Sequence, residues 1–420
     1  TRWTPRSRST PSMADADVAV LGSGPAGLGA ALALVARGIA RVVVLEREAE
    51  PGGVPRHCGH PPYGLREFGR VMAGPAYARR LVARARAAGV EIRTRTTVTR
   101  LNPDGALDLA TPEGVQRLDA RRVVLATGVR ETPRPPRLVG GDRPLAGVMN
   151  TGALQAYVHL EGLVPFRRPL IVGTELVSMS ALLTCRQAGI RPVAMVEPRE
   201  RVTTRALFGL LPRLTGVPLR LATNLAEIRG GRRVEAVELA GGDGRRETVG
   251  CDGVLFTGGF VPAAELIRAS HLALDQGTGG PVVDQFGRCS DPAYVAAGNL
   301  VRPVENAGWC HREGRRVGDW VADDLAGRLP PAADAVPVTA EAPLLFAVPQ
   351  RLVPGAGDGF VFQLRVAAEV AGDLQLTAGD AVLLRRRLHV RPERRVTLPR
   401  LTVPAGIDGV RLALRHRNHA

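Results

Sequence analysis

The chain's 420 residues, 45% apolar but only 4% aromatic, suffice for two or three domains with interiors of Ala, Val and Leu, a composition that suits parallel sheets covered by helices. The formal charge of +16 comes from 56 basic residues, all arginine and scattered; runs such as 385–387 and 394–395 lack interleaved aromatics on which bases stack, which argues against nucleic acid and for a solvated basic face or an acidic partner protein. No apolar run reaches membrane-spanning length, and five widely spaced cysteines (58, 185, 251, 289 and 310) carry no metal-ligand pattern, which predicts a cytoplasmic protein with no metal and no membrane span.

Residues 1–14, basic and rich in Ser, Thr and Pro, read as a disordered leader around a natural start at Met13. The segment 17–46 then reads as strand, glycine turn, helix and strand, one βαβ unit. A helix over 77–89 and strands over 90–98 and 121–126 follow, and a second βαβ unit begins at Pro169, with a helix near 177–188 and a strand at 193–197. Further strands are expected at 233–239, 253–256, 281–284 and 294–297, with a last helix over 310–328. Beyond a Pro/Ala linker at 329–337, short alternating strands with Gly-Asp turns predict a small antiparallel β-domain over 338–420, in sandwich form.

Gly22, Gly24 and Gly27 sit between a strand and a helix, the context that gives a three-glycine pattern meaning. The first allows a tight turn, the second lets backbone approach a pyrophosphate and the third lets the helix pack closely with its N-terminal dipole on the phosphates. Pro25 and Ala26 complete the turn. Glu46, nineteen residues after Gly27, ends the second strand where a carboxylate takes ribose hydroxyls, and Arg47 and Gly53 follow on the cofactor side. Two more strands end in polar positions, one at Ala126, Thr127 and Gly128 and one at Gly298 and Asn299.

With the glycine turn and Glu46, these segments resemble the pyridine nucleotide-disulfide oxidoreductase superfamily over residues 15–328. The resemblance implies an α/β chain of two Rossmann-like dinucleotide-binding domains, FAD and NAD(P)-type, with FAD as cofactor. It divides the chain into an FAD-binding domain (15–150 and 263–330) around a second nucleotide domain (151–262), ahead of the β-rich tail. In the family, an acid in place of Asn299 holds the ribityl chain, a role an amide can keep. Gly259 and Pro262 match a structural segment, and Ala307 and Gly308 would offer N–H groups to the flavin pyrimidine at the start of the last helix, where Trp309, Cys310 and His311 could line the pocket.

The family's redox Cys pair is missing. After Gly52 and Gly53 come His57, Cys58 and His60, and a lone cysteine cannot run a dithiol cycle. These three are the expected catalytic groups: a histidine near its ordinary pKa can move the proton that accompanies hydride transfer, and a neighbouring imidazolium would lower the Cys58 pKa. In the second unit Glu175 and Ser178 replace two glycine-type positions of the turn, so a carboxylate stands where a pyrophosphate should approach, which weighs against NAD(P) without closing the question. The expected function is an FAD-dependent oxidoreductase, one component of a dehydrogenase, moving electrons between an acceptor and a small organic substrate or a second subunit. Rival readings are a stand-alone NAD(P)H-dependent flavin reductase and a non-catalytic FAD-holding scaffold; homo- or hetero-oligomerisation stays open.

Overall fold

The structure, a computed structural model, describes residues 15–205, 207–357 and 359–416. The expected leader lies outside them.

The first unit is a seven-stranded sheet. In order it runs β3 (Glu91–Arg93), β2 (Val42–Leu45), β1 (Ala16–Leu21), β6 (Gly114–Leu125), β5 (Ala106–Thr111) and β4 (Thr97–Leu101), with β18 (Tyr294–Ala296) on the other side of β6. The twelve-residue β6 does two jobs: residues 114–119 pair antiparallel with β5, and 120–125 run parallel to β1, with β18 alongside their end. β2 is four buried β-branched or leucine residues in a row, the pattern of a strand covered on both faces. The chain therefore leaves this sheet and returns to it through the β18 register Tyr294 to Val123, 171 positions apart.

Helix α1 (Pro25–Ala36) has proline at its first turn and apolar residues nearly all round, because it is pressed between the sheet and α8 (Ala307–Leu325). α8 buries the spacing Cys310, Gly314, Val317, Val321 and turns arginines outward. The two helices touch backbone to backbone: a Cβ on Gly314 would sit 1.9 Å from the Ala26 carbonyl oxygen. Burying Leu28 and Leu34 completely in this seam contributes about 1.5–3 kcal/mol each. Helices α2 (Leu65–Phe68) and α3 (Gly74–Ala87) complete that face.

The second unit is an all-parallel sheet, β12 (Leu219–Arg220), β11 (Ala194–Val196), β10 (Pro169–Val172), β16 (Gly253–Phe256) and β9 (Val148–Asn150). It carries α4 (Thr151–His159), α5 (Leu176–Gln187) and α6 (Leu211–Leu214). Beside it lies a sheet of β15 (Arg246–Gly250), β14 (Ala236–Gly241), β13 (Thr223–Arg229) and β8 (Gly140–Gly141). Residues 140–150, read from sequence with the first unit, thus pair with the second; two-residue and three-residue strands are too short to show their partner in a local pattern. The units are joined by an antiparallel pair, β7 (Val129–Glu131) with β17 (Phe260–Pro262), ahead of α7 (Glu265–Arg268).

The expected strand at 281–284 is only an isolated bridge between Leu274 and Pro281. The tail forms two facing sheets around one apolar cluster. One has β21 (Arg351–Leu352), β19 (Val336–Ala340), β26 (Val410–His416), β23 (Val370–Ala378) and β24 (Ala381–Val390); the other has β20 (Leu344–Val348), β22 (Gln363–Val366) and β25 (Val396–Thr397). Its pairing is not wholly antiparallel as expected: β19 and β26, first and last in the tail, run parallel, a pairing between distant segments that no hairpin signal announces.

Candidate functional site

Gly22 ends β1 with φ +99°, a conformation that favours glycine, and a Cβ there would also lie 2.7 Å from the Ala126 carbonyl oxygen. Gly27 packs against the carbonyl oxygen of Gly22, whereas the Cβ position of Gly24 faces no atom within 4 Å. Gly24 is thus the open wall of a turn whose other walls are closed, and it caps the N-terminus of α1. Gly53, also left-handed at φ +63°, presses onto the Cα of Gly24 and brings the second glycine loop to the first.

Glu46, 7% exposed, accepts hydrogen bonds at Oε2 from the Ser23 amide (3.0 Å) and hydroxyl (2.5 Å), and at Oε1 from the Glu48 amide (3.0 Å). A carboxylate takes about four such bonds, so one acceptor position remains. The Ser23 hydroxyl in turn accepts from the Gly52 amide. Arg47 points to solvent beside Glu48.

The end of β6 meets this turn at Ala126, whose amide donates to the Leu21 carbonyl. Thr127 donates its hydroxyl to Ala263, and Gly128 opens outward with nothing near its Cβ position. A Cβ on Gly298 would lie 2.7 Å from the Ala26 side chain, and its amide donates to Glu313. Asn299 has both ends of its amide engaged, with the amide and the carbonyl of Glu305, so it holds the loop ahead of α8. Ala307 and Gly308 begin α8 behind an Asn306 cap, which accepts from the Trp309 amide.

The cradle fits a dinucleotide: an open glycine at a helix N-terminus, a ribose acid with a free lone pair, and a second glycine loop beside it. The residues after α8's cap divide. Trp309 is half-buried among the guanidiniums of Arg66, Arg312 and Arg395, at 4.9, 4.8 and 4.6 Å from its ring. Cys310 is buried in the core. His311 turns to a groove between α1 and α3 and does not line the flavin side.

Residues 54–57 form a short 3-10 turn that ends at His57, and Cys58 and His60 follow it in the loop between the two units. Here hydrogen bonds run in one direction. The Cys58 thiol donates to Gln155 Oε1 (3.4 Å), Gln155 Nε2 to Ser180 Oγ (2.7 Å), and Ser180 to His60 Nε2 (2.5 Å). His60 Nδ1 lies 2.8 Å from the Pro61 carbonyl oxygen, which can only accept, so Nδ1 carries the proton and Nε2 takes that of Ser180. The loop is thereby tied to α4 and α5 of the second unit.

The expected lowering of the Cys58 pKa is corrected. Burial pushes this thiol up to about 11 against a smaller opposing effect of the Tyr63 hydroxyl, and it also pushes the Tyr63 phenol up. His57 is held below its ordinary value by burial, helped by Arg56 and His159, so it is a poor source of an imidazolium for the thiol. His57 Nδ1 is buried and has no partner among the described residues. Close by is Glu131, which the sequence reading missed: its Oε2 and His57 Cε1 lie within 3.6 and 4.0 Å of the Cβ position of Gly152. Glu131 is 6% exposed, its pKa is raised by burial, and it accepts from the amides of Gly152 (2.7 Å) and Gly258 (3.1 Å). Its only sequence signal is its place three residues after Gly128.

The second turn repeats the first. Gly173 has φ +110°, and Thr174 donates to Glu197 at 2.6 Å as Ser23 does to Glu46. Glu175 stands in Gly24's place with its carboxyl folded against the backbone of Gly258 and Gly259, and burial raises its pKa. Ser178 is bonded to Thr257 through their hydroxyls. Among the described residues no helix is long and apolar enough to cross a membrane, and no cluster of three or more His, Cys, Asp or Glu could hold a metal.

The family pattern described as pyridine nucleotide-disulphide oxidoreductase matches residues 16–314. The alpha subunit of sarcosine oxidase from Rhizobium meliloti (strain 1021) is 29% identical over 380 residues, which cover 83% of this chain and 34% of that protein. An opine oxidase subunit of the same strain is 32% identical over 206 residues, 49% of this chain and 42% of its own length. The chain therefore spans well under half of these relatives. Among solved structures, T. acidophilum thioredoxin reductase superposes with a TM-score of 0.61 at 20% identity, covering 74% of this chain and 98% of that one. L-proline dehydrogenase from P. horikoshii gives 0.53 at 19%, over 74% and 56%. At such identities the likeness is one of fold. The extent of the family match, together with the glycine cradle, identifies the chain as a member of the pyridine nucleotide-disulphide oxidoreductase family and an FAD-dependent oxidoreductase.

Proposed function

We propose that this chain is the FAD-holding subunit of a dehydrogenase or oxidase for amino acids of the N-substituted kind named in its sarcosine and opine oxidase relatives, passing electrons to an acceptor on a partner subunit. FAD, when bound, supplies two-electron oxidation of a C–H bond and hands the electrons on. The Gly24 end of the 22–27 turn, at the N-terminus of α1, with Glu46, Gly53, Gly128, Gly298 and the start of α8, would hold it.

The observation that carries the reading is the contrast between the two turns. Gly24 leaves its wall open; Glu175 fills the matching wall with a buried carboxyl that would have to move or be neutralised before a pyrophosphate could enter. That supports electrons arriving from an organic substrate and not from NAD(P)H. Within the loop, His57 is the proton acceptor of the proposal, since it is neutral at pH 7 and its Nδ1 is uncommitted. Cys58 and His60 serve to hold it, as part of the relay to α5. The five cysteines are all unpaired and buried, which supports a reducing compartment such as the cytoplasm.

Anaerobic titration of the purified flavoprotein tests the proposal. Sarcosine or another N-substituted amino acid, with the partner subunit present, is expected to bleach the visible flavin absorption, while NADH and NADPH leave it unchanged. Bleaching by a reduced nicotinamide alone would establish the stand-alone reductase instead.

A further inference from the structure

A cavity of about 240 Å³ lies between the later halves of α1 and α3 and the first half of α8. One side of its lining is apolar, from Leu32, Val35 and Ala88; the other is His311, Arg84 and Arg315. His311 is 5% exposed, and its Nε2 is buried without a hydrogen-bond partner among the described residues. Burial, aided by Arg315 and Arg84, pushes the ring down to about 4, so it is neutral at pH 7. Neither arginine has a carboxylate or carbonyl partner among the described residues.

Buried polar nitrogens almost always have partners, because an unmade bond leaves their desolvation uncompensated. Here the buried, unpartnered imidazole nitrogen and two exposed guanidiniums that no acid answers among the described residues border one space. Their shared complement is an anion with several acceptor positions. A phosphate or chloride would leave the apolar side uncovered, and the volume, roughly eight water molecules' worth, admits something larger. We propose that this cavity binds a small organic monocarboxylate: the carboxylate lies between Arg84 and Arg315 and accepts a hydrogen bond from His311 Nε2–H, and the apolar body rests on Leu32, Val35 and Ala88. The site is separate from the glycine cradle and independent of the substrate assigned above.

Isothermal titration of the flavin-loaded protein with benzoate, and separately with inorganic phosphate at equal ionic strength, tests it. Benzoate is expected to bind at one site that phosphate does not occupy. The double variant Arg84→Gln/Arg315→Gln should weaken benzoate at least about tenfold, through loss of both charge-assisted bonds. Val35→Glu, which keeps both arginines and sets a carboxylate at the mouth, should do the same, with wild-type flavin content showing that the fold survives. Absence of benzoate binding, unchanged affinity in both variants, or phosphate binding as tightly as benzoate would overturn the proposal.

Discussion

At residues 22–27 and 173–178 the chain builds one strand, turn and helix twice. Gly22 and Gly173 take φ +99° and +110°, Ser23 and Thr174 both donate to an acid at the end of the next strand, and Gly24 and Glu175 cap their helices at the same φ of −69°. The side chains at the caps differ, with open space at Gly24 and a carboxyl packed on Gly258 at Glu175. Fold and ligand selection are therefore separable here. The left-handed glycine and the acid keep the turn in shape, and on the function proposed above one Cβ position decides whether a diphosphate has access.

The severest way to break the contrast is to give the first turn the second's residue. Gly24→Glu should abolish flavin retention, at least about a hundredfold in FAD affinity, because a carboxylate then faces the diphosphate at short range in a partly dry site. The variant should purify colourless with unchanged far-UV circular dichroism. A yellow protein with wild-type flavin content would show that the cradle has been misplaced.

Next in size is the loop between the turns. His57→Ala should lower turnover with an artificial dye by about a hundredfold, the low end for a lost acid–base group. Since burial holds His57 below its ordinary pKa of about 6.5, its neutral form persists through neutral pH, and the acid limb of the wild-type rate profile should fall below pH 6.5. Cys58→Ser should keep most of the rate. Were the triple variant His57→Ala/Cys58→Ser/His60→Ala to turn over dye normally, the scaffold reading would replace the catalytic one.

The reverse exchange is a gain. Glu175→Gly should open the second turn and tighten NADH or NADPH binding by about tenfold or more, through loss of one short-range charge repulsion. Fluorescence titration of the reduced nicotinamide measures it. No change would mean that something other than this side chain closes the site, and the inference from the contrast would lose its footing.

What the sequence showed, it showed through local pattern. Both turns, α1, α5 and the β16 bounds follow from residues within one element of each other, and Glu46 from its fixed spacing along a βαβ unit. What it hid depends on distant contacts. Cys58 reads as a reactive thiol beside two histidines until Gln155, 97 positions on, and Ser180, 120 positions from His60, bury and bind the loop. Asn299 reads as a cofactor ligand, but its amide is engaged by Glu305. His311 is adjacent in sequence to residues expected at the flavin, yet the rotation of about 100° per helical residue turns it into the groove between α1 and α3. Side-chain direction on a helix is set by packing, and packing is set by partners far away in the chain.

Those distant contacts give the second unit a structural role toward the first: α5 supplies Ser180, which bonds His60 and, through Gln155, is linked to Cys58. Ser180→Ala deletes the hydroxyl that both accepts from Gln155 and donates to His60. It should cost about 1 kcal/mol of stability, the usual net value of a hydrogen bond, which urea denaturation can read. The thiol gives a sharper readout. With a pKa of about 11 and 6% exposure, Cys58 should resist alkylation in the native wild type, whereas loosening the relay should speed its modification severalfold while Gly24-dependent flavin content stays constant. Faster alkylation with flavin retained would show that the second unit acts as a clamp on the first. Loss of flavin in step with alkylation would show instead that loop and cradle open together as one cooperative unit.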